Sequence, residues 1–294
     1  RYSEDVRPRL KLNTWLTKEH IIRTKIVPFF GPKRMCDISP KDVVDWQNKM
    51  VGSYDDEGKP YSGTYLRTIN NQLSAIFNHA VKYYGLGKSP AAPTIKIGER
   101  QGSEMKFWTK EQYLAFSEEG MDKPASFYAF EILYWCGLRV GELLALEPND
   151  IDLGKCLIHV TKSYQRIRRR DVITSPKTPK SKRDVVMPEF LADELADFLG
   201  SIPEERRAYR IFCFTKSYLH HEMKRGCAAC GLEPIRIHDL RHSHVSLLIE
   251  MGFSAIAIAD RLGHETYEMT LRYAHLFPSK QSDMAAALDQ RRRP

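Results

Sequence analysis

Four patches in the C-terminal two-thirds of this 294-residue chain hold side chains whose types and spacing could do chemistry. In Cys136-Gly-Leu-Arg139-Val-Gly-Glu142, an arginine follows a Gly-Leu turn at a helix end. Glu142 is close enough in sequence to orient it, although Arg beside Glu is also the pattern of an ordinary surface ion pair. Ser175-Pro-Lys177-Thr-Pro-Lys180-Ser-Lys182-Arg183 is a basic, Pro-rich turn between strands. A mobile lysine there can reach into a DNA groove, and a plain solvated loop carries the same residues. In His238-Asp-Leu-Arg241-His-Ser-His244, the three-residue spacing puts His238 and Arg241 on one helix face. That pair suits a phosphate, because a guanidinium forks onto two oxygens and an imidazole adds a donor. A polar surface helix has the same spacing, and zinc is disfavoured because the arginine would stand beside the metal. The last patch is Leu262-Gly-His264 followed by Tyr273-Ala-His275, where the bland alternative for Tyr273 is a packed aromatic.

Taken together, the order Arg, Lys, His-x-x-Arg, Gly-His, Tyr resembles the tyrosine recombinase (phage integrase) family, closest to integrases of phages and conjugative transposons. The resemblance covers about Thr109–Phe277, and the basic first part of the chain is similar to the family's core-binding domain. It implies a catalytic set of Arg139, Lys177, His238, Arg241, His264 and Tyr273, with Glu142 supporting Arg139. Lys180 and Lys182 lie close to Lys177, whose spacing to Arg183 resembles the family hairpin. The implied activity is DNA cleavage and rejoining through a 3′-phosphotyrosine. A free phenol with pKa about 10 is a poor nucleophile at neutral pH. Two arginines at the non-bridging oxygens stabilise the charge that develops there and favour the phenolate. Lys177 would protonate the leaving 5′-oxygen. No metal, nucleotide or other cofactor is expected, since the arginines do a metal's electrostatic work. The implied partners are double-stranded DNA recombination sites, a homotetramer exchanging strands through a Holliday junction, and an accessory directionality factor.

The elements that must position these groups fall into two parts. Residues 1–95 are expected to form a helical core-binding domain, 96–106 a linker, 107–278 the catalytic domain, and 279–294 a tail with a subunit-docking helix. The fold class expected is mainly α with one small antiparallel β-sheet. Asn13-Thr14 is expected to cap a first helix ending near Pro28, and Ser39-Pro40 opens a second carrying Val43, Val44, Trp46 and Met50. The third has an apolar stripe of Tyr65, Ile69, Leu73, Ile76, Phe77, Ala80 and Tyr84. Its opposite face offers Arg67, Asn71, Ser74 and Asn78, which are either a solvated face or contacts to phosphates and base edges, and Lys180 and Arg183 are further candidates for DNA. Thr109 and Gln112 make a capping box. Strand-like composition appears at Cys156–Val160, Tyr164–Ile167 and Asp184–Met187.

Net charge is +8, and residues 1–100 contribute 17 Lys and Arg against 10 Asp and Glu, so the basic excess sits where DNA would be gripped. Simple solubility would produce the same sign. No stretch approaches the roughly 18 apolar residues of a membrane helix. The six cysteines are too sparse for a secreted disulfide scaffold, which points to a reducing compartment, the bacterial cytoplasm near the nucleoid. Cys227-Ala-Ala-Cys230, with His220 and His221 nearby, reads as two thiols one turn apart on a helix rather than a zinc site. The chain starts at Arg1 rather than Met, so a start inside a longer protein, lacking an N-terminal arm-binding domain, is expected. Competing readings are a type IB topoisomerase-like enzyme, a non-catalytic DNA-binding regulator and, for want of clustered carboxylates, last a metal-dependent nuclease.

Overall fold

The computed structural model describes residues 1–99, 105–120, 122–176, 178–206, 209–266, 268–271 and 273. They belong to two compact units, Arg1–Glu104 and Met105–Pro294.

The first unit is helical: α1 (Tyr2–Val6), α2 (Leu12–Ile21), α3 (Val27–Phe30), α4 (Pro40–Val51) and α5 (Gly63–Tyr83). The cap expected at Asn13-Thr14 falls instead on Lys11, which is extended and makes no side-chain cap bond. Asn13 is already inside the helix, its carbonyl accepting from Thr17 Oγ1 at 3.1 Å. The helical path does end near Pro28, at Phe30 with Gly31 as its cap, but not as one regular helix. It widens into a π turn, Ile22–Ile26, and Pro28 then lies in the first turn of α3, where a missing N–H costs no helical bond. Ser39 and Asp42 close a capping box on α4, with Ser39 N to Asp42 Oδ2 at 2.8 Å. Val43, Trp46 and Met50 are buried there, while Val44 is exposed. The Trp46 indole N–H donates to Lys25 O at 2.8 Å, which meets the polar need of an otherwise buried ring.

On α5, Ile69, Leu73, Phe77 and Ala80 are buried as the stripe requires; Tyr65 and Ile76 are half-buried, and Tyr84 is exposed just past the helix end. The buried face is wider than the apolar pattern, because Leu66, Asn70 and Gln72 join it. The two amides tolerate burial because each is satisfied. Asn70 Oδ1 accepts from Gln47 Nε2 at 2.8 Å, Gln72 Oε1 accepts from Lys18 Nζ at 2.7 Å, and Gln72 Nε2 donates to Tyr2 OH at 3.2 Å. The end of the expected first domain and the start of the expected linker both pack on this unit: Ile95 O accepts from Gln47 Nε2 at 2.9 Å, and Ile97 lies against the core.

The second unit holds α6 (Lys110–Gly120), α7 (Pro124–Trp135), α8 (Val140–Leu143), strands β1 (Ile151–Asp152), β2 (Leu157–Val160), β3 (Ser163–Ile167), β4 (Arg170–Thr174) and β5 (Arg183–Val186), then α9 (Glu189–Gly200), α10 (Lys216–Cys230), α11 (Asp239–Glu250), α12 (Ala255–Leu262) and α13 (Glu268–Leu271). The Thr109–Gln112 box opens α6, with Thr109 N to Gln112 Oε1 at 2.9 Å. Helix α7 is apolar nearly all round, and Ala129, Phe130, Ile132, Leu133 and Tyr134 are buried in the main core, which fits a helix with neighbours on every side. Those neighbours are α6, α8, α9 and α11.

The strands form two sheets rather than the expected one: β1-β2-β5, all antiparallel, and a separate hairpin β3-β4 with Tyr164 opposite Ile173. The hairpin turns on Arg168 and Arg169, both left-handed at φ 49° and 63°. Such a two-residue turn matches the twist of the strands but is ordinarily built from Gly or Asn, since left-handed backbone costs other residues about 1–2 kcal/mol each. An Arg-Arg pair announces nothing of the kind, so β4 escapes the sequence pattern. Cys227 and Cys230 sit on the last turn of α10, the Cys230 thiol donating to Gly226 O at 3.2 Å. Among the described residues, no helix is long and apolar enough to cross a membrane.

Candidate active site

Arg241, on the first turn of α11, fastens the loops that carry two of the other motifs. Its Nη1 donates to Gly137 O and its Nη2 to Leu262 O, each at 2.6 Å. The side chain is therefore fixed between the turn leading to Arg139 and the turn leading to His264. Both turns depend on a left-handed glycine, Gly137 and Gly263, each at φ 63°. A Cβ on Gly137 would come 2.5 Å from His244 Cδ2, and one on Gly263 would come 2.7 Å from Lys180 O. Any side chain at either place thus meets both backbone strain and an occupied space. His244, buried beneath Gly137, accepts at Nε2 from Arg261 Nε at 3.1 Å. Burial of Arg241, then the nearby Arg139, pull its guanidinium down to about 9, which leaves it charged at neutral pH.

Glu142 is the buried anion of the site. Its Oε2 accepts from Arg139 N at 2.9 Å and its Oε1 from Arg139 Nη1 at 2.8 Å. Arg183 grips the same carboxylate, Nη1 to Oε1 at 3.2 Å and Nη2 to Oε2 at 3.0 Å, and its Nε donates to Arg261 O at 3.0 Å. This corrects the groove-facing role expected of Arg183: its side chain is 7% exposed and its guanidinium is committed inside the unit. Burial by itself would raise the Glu142 carboxyl, but Arg183 and then Arg139 outweigh it and hold it below the usual range. The stability it contributes is therefore present above the ordinary glutamate pKa and is lost as pH falls through the lower folded value. Glu142→Gln keeps the shape but leaves Arg183 buried without its counter-charge. The expected cost is about 3–5 kcal/mol, read as a melting temperature lower by roughly 6–20 °C. A melting temperature within about 2 °C of wild type would show that the carboxylate is not what holds these arginines.

His264 follows Gly263 and is buried, its Nδ1 sharing a hydrogen bond with Thr270 Oγ1 at 2.8 Å. Burial, then Arg241, Arg139 and Arg183, push it down to about 3, so it is neutral at physiological pH. His238 precedes α11 and its side chain stays exposed at the surface; partial desolvation among its neighbours, then His242 and Arg241 beside it, lower its pKa below the ordinary imidazole value. Tyr273 packs its ring into a small cluster with Val245, Ile249, Ile258 and Leu262 from α11 and α12. Its hydroxyl hydrogen-bonds His242 Nδ1, and the two ring centroids are 5.5 Å apart. His242 was not singled out from the sequence; its only signal there was a position next to Arg241 and three after Asp239. Beside Arg139, a cleft of about 190 Å³ is lined by Glu142, Ser181 and Gly263 among others. Arg139 itself keeps 31% of its side chain exposed.

Lys177, His275 and residues 279–294 lie outside the described residues. Lys180 and Lys182 are exposed. In the first unit Arg67, Asn71 and Asn78 are exposed on α5, while Ser74 is half-buried with its hydroxyl donating to Asn70 O at 3.1 Å.

Residues 106–280 match the phage integrase family, and residues 1–51 match the phage integrase N-terminal SAM-like domain. The chain belongs to the phage integrase family. Among relatives of this integrase-family chain, the ICEBs1 integrase of Bacillus subtilis (strain 168) is 31% identical over 95% of this chain and 78% of its own. The integrase of Mycobacterium phage D29 is 26% identical over 91% and 71% respectively. In fold, the Tn1549 transposon integrase in complex with a circular intermediate DNA superposes with a TM-score of 0.77 at 20% identity, over 99% of this chain and 97% of that one. A lambda integrase tetramer bound to a Holliday junction superposes with a TM-score of 0.63 at 19% identity, over 90% and 75%.

Proposed function

We propose that this integrase-family enzyme is a site-specific DNA recombinase of a mobile element, with Tyr273 as its nucleophile. The observation that carries the reading is Arg241 joining the Gly137 and Leu262 turns, in a unit that also holds the Tyr273 hydroxyl against the same helix, α11. Tyr273 attacks the scissile phosphodiester, forms a 3′-phosphotyrosine and releases a 5′-hydroxyl. Arg139 and Arg241 stabilise the charge that develops on the non-bridging oxygens; a guanidinium has five N–H donors, so the two Arg241 spends on carbonyls leave others for phosphate. His238 and His264, neutral at physiological pH, supply further hydrogen bonds without adding net charge. Lys177 protonates the leaving oxygen, and Glu142 orients Arg139. Because the phosphotyrosine conserves the bond energy, another strand's 5′-hydroxyl reverses the step on a new partner, with no metal or ATP.

The basic first unit grips duplex DNA through Arg67, Asn71 and Ser74 on α5, with Lys180 contributing from the second unit. The enzyme assembles as a homotetramer on paired sites, using the segment 279–294 to dock subunits, and a directionality factor sets the outcome. It works on the bacterial chromosome in the cytoplasm. The mobile-element setting is supported by the names of the relatives, integrases of a bacterium and of mycobacterial phages, and the tetramer by a lambda integrase tetramer bound to a Holliday junction.

The experiment is to incubate the protein with a nicked suicide duplex carrying the end of its mobile element, in EDTA, and to map any covalent adduct by mass spectrometry. An adduct on Tyr273, followed by strand exchange between two sites, is expected. Adduct with supercoil relaxation but no exchange would mean a topoisomerase. Binding without adduct would mean a regulator, and chelator-sensitive cleavage a metal nuclease.

A further inference from the structure

His242 stands outside the motif set, yet it is the residue that holds the hydroxyl of Tyr273. On the far side of the ring, Nε2 lies 3.8 Å from Asp239 Oδ1, one turn earlier on α11. Asp239 is itself buried and held from Arg236, whose N, Nε and Nη2 donate to its two oxygens at 2.8–3.1 Å. The His242 side chain is 15% exposed, and the His238 ring packs edge-on against it at 5.1 Å. The groups facing it are Asp239, Arg236, Arg241 and His238 from its own helix and the residues leading into it, and Tyr273 from the last described turn. Burial lowers its basicity most, Asp239 opposes that, and Arg236 and Arg241 lower it further, so the ring is neutral at physiological pH. A neutral imidazole carries one N–H and one bare nitrogen. The carboxylate side favours the proton on Nε2, which presents the bare Nδ1 to the phenol. Nucleophile, base and orienting acid thus stand in the order used by hydrolytic triads, with a phenol in place of serine.

We propose that His242 is the general base of the cleavage step and that Asp239 is its positioning residue. The assignment rests on the recombinase reading above. As Tyr273 attacks, its O–H bond breaks, the proton passes to His242 Nδ1, and the phenolic oxygen forms the bond to phosphorus. The P–O5′ bond breaks, and the leaving oxygen takes its proton from the general acid. In rejoining, the 5′-hydroxyl attacks and gives its proton back to the deprotonated general acid, the tyrosyl oxygen leaves, and the imidazolium returns the proton to it. Asp239 faces the imidazolium in the interval between. A phenol of pKa about 10 is ionised only about once in a thousand at pH 7, so a base in contact with it has a large deficit to remove.

The test is single-turnover adduct formation on the nicked suicide duplex at saturating protein, for wild type, His242→Gln and His242→Asn, from about pH 6 to about pH 10. DNA binding and thermal melting are followed alongside. At neutral pH both variants should be slower by about 10²-fold or more, with the deficit shrinking steadily as pH rises towards the phenol's own pKa. A fluorinated tyrosine at position 273, ionised near neutrality, should restore the rate of His242→Gln without any change in pH. Asp239→Asn should show a smaller deficit of the same pH dependence. Wild-type rates in either variant at neutral pH would overturn the assignment. So would a deficit that is equal at every pH and untouched by the fluorinated tyrosine, because that is how a merely structural histidine behaves. If wild type binds the duplex and forms no adduct at all, the recombinase reading fails and the base falls with it.

Discussion

Tyr273→Phe removes the covalent adduct completely, leaves DNA binding within about two-fold of wild type, and lowers the melting temperature by no more than about 1–6 °C. The ring is held by Val245, Ile249, Ile258 and Leu262, and phenylalanine keeps all of that apolar burial. What is lost is the hydroxyl and its bond to His242, a net change of about 0.5–1.5 kcal/mol. The proposed chemistry, in contrast, loses its nucleophilic atom, and positioned phosphate ligands cannot supply another. Denaturing gels of the suicide-duplex reaction, gel shifts and a melting curve on the same preparation check the three parts. An adduct of undiminished yield in this variant would move the nucleophile elsewhere.

Arg241→Ala has a different profile, with both activity and stability falling. Removing a charge-stabilising donor from a phosphate site costs about 10²–10³-fold in rate, and the loss of a full cation belongs at the upper end or beyond. The same truncation strips the donors from Gly137 O and Leu262 O, inside a site where Arg241 is 3% exposed. Each carbonyl left unsatisfied costs about 1–3 kcal/mol, so the melting temperature should fall by roughly 4–24 °C for a unit of this size. Arg241→Lys retains a positive charge but not the planar fork that reaches both carbonyls at once, and should sit between the two in melting temperature while remaining nearly inactive. Melting curves and single-turnover rates on both variants decide it; alanine with wild-type stability would mean that the two turns hold themselves.

Much of this architecture is legible in the chain because local signals agree with the packing. Ser39-Pro40, the Thr109–Gln112 box and the three-four spacing along α5 each specify an element from its own residues. The left-handed glycines before Arg139 and His264 belong to the same class, since the turns need them wherever the chain goes. Two failures are local, the helix cap that falls on Lys11 and the hairpin turn on Arg168 and Arg169; the others are non-local. Asn70 and Gln72 look like surface residues until Gln47 and Lys18 arrive to satisfy them. Arg183 lies in a run of exposed cations and differs from them only in meeting Glu142, 41 residues away. His242 is invisible for a subtler reason. It stands between motif residues on a helix where polar side chains are ordinary, and its bond to Tyr273 comes from 31 residues on.

The double duty of Arg241 also bears on how copies of such an enzyme decay. On the proposed mechanism, a gene that loses the Tyr273 hydroxyl would still make a folded protein, one expected to occupy recombination sites and to poison assemblies built with intact copies. A gene that loses Arg241 removes the donors that tie the Gly137 and Leu262 turns together, and a chain so destabilised is expected to be cleared by proteases before it can compete. Inactive variants that interfere should therefore accumulate at the nucleophile, whereas damage at the arginine erases itself.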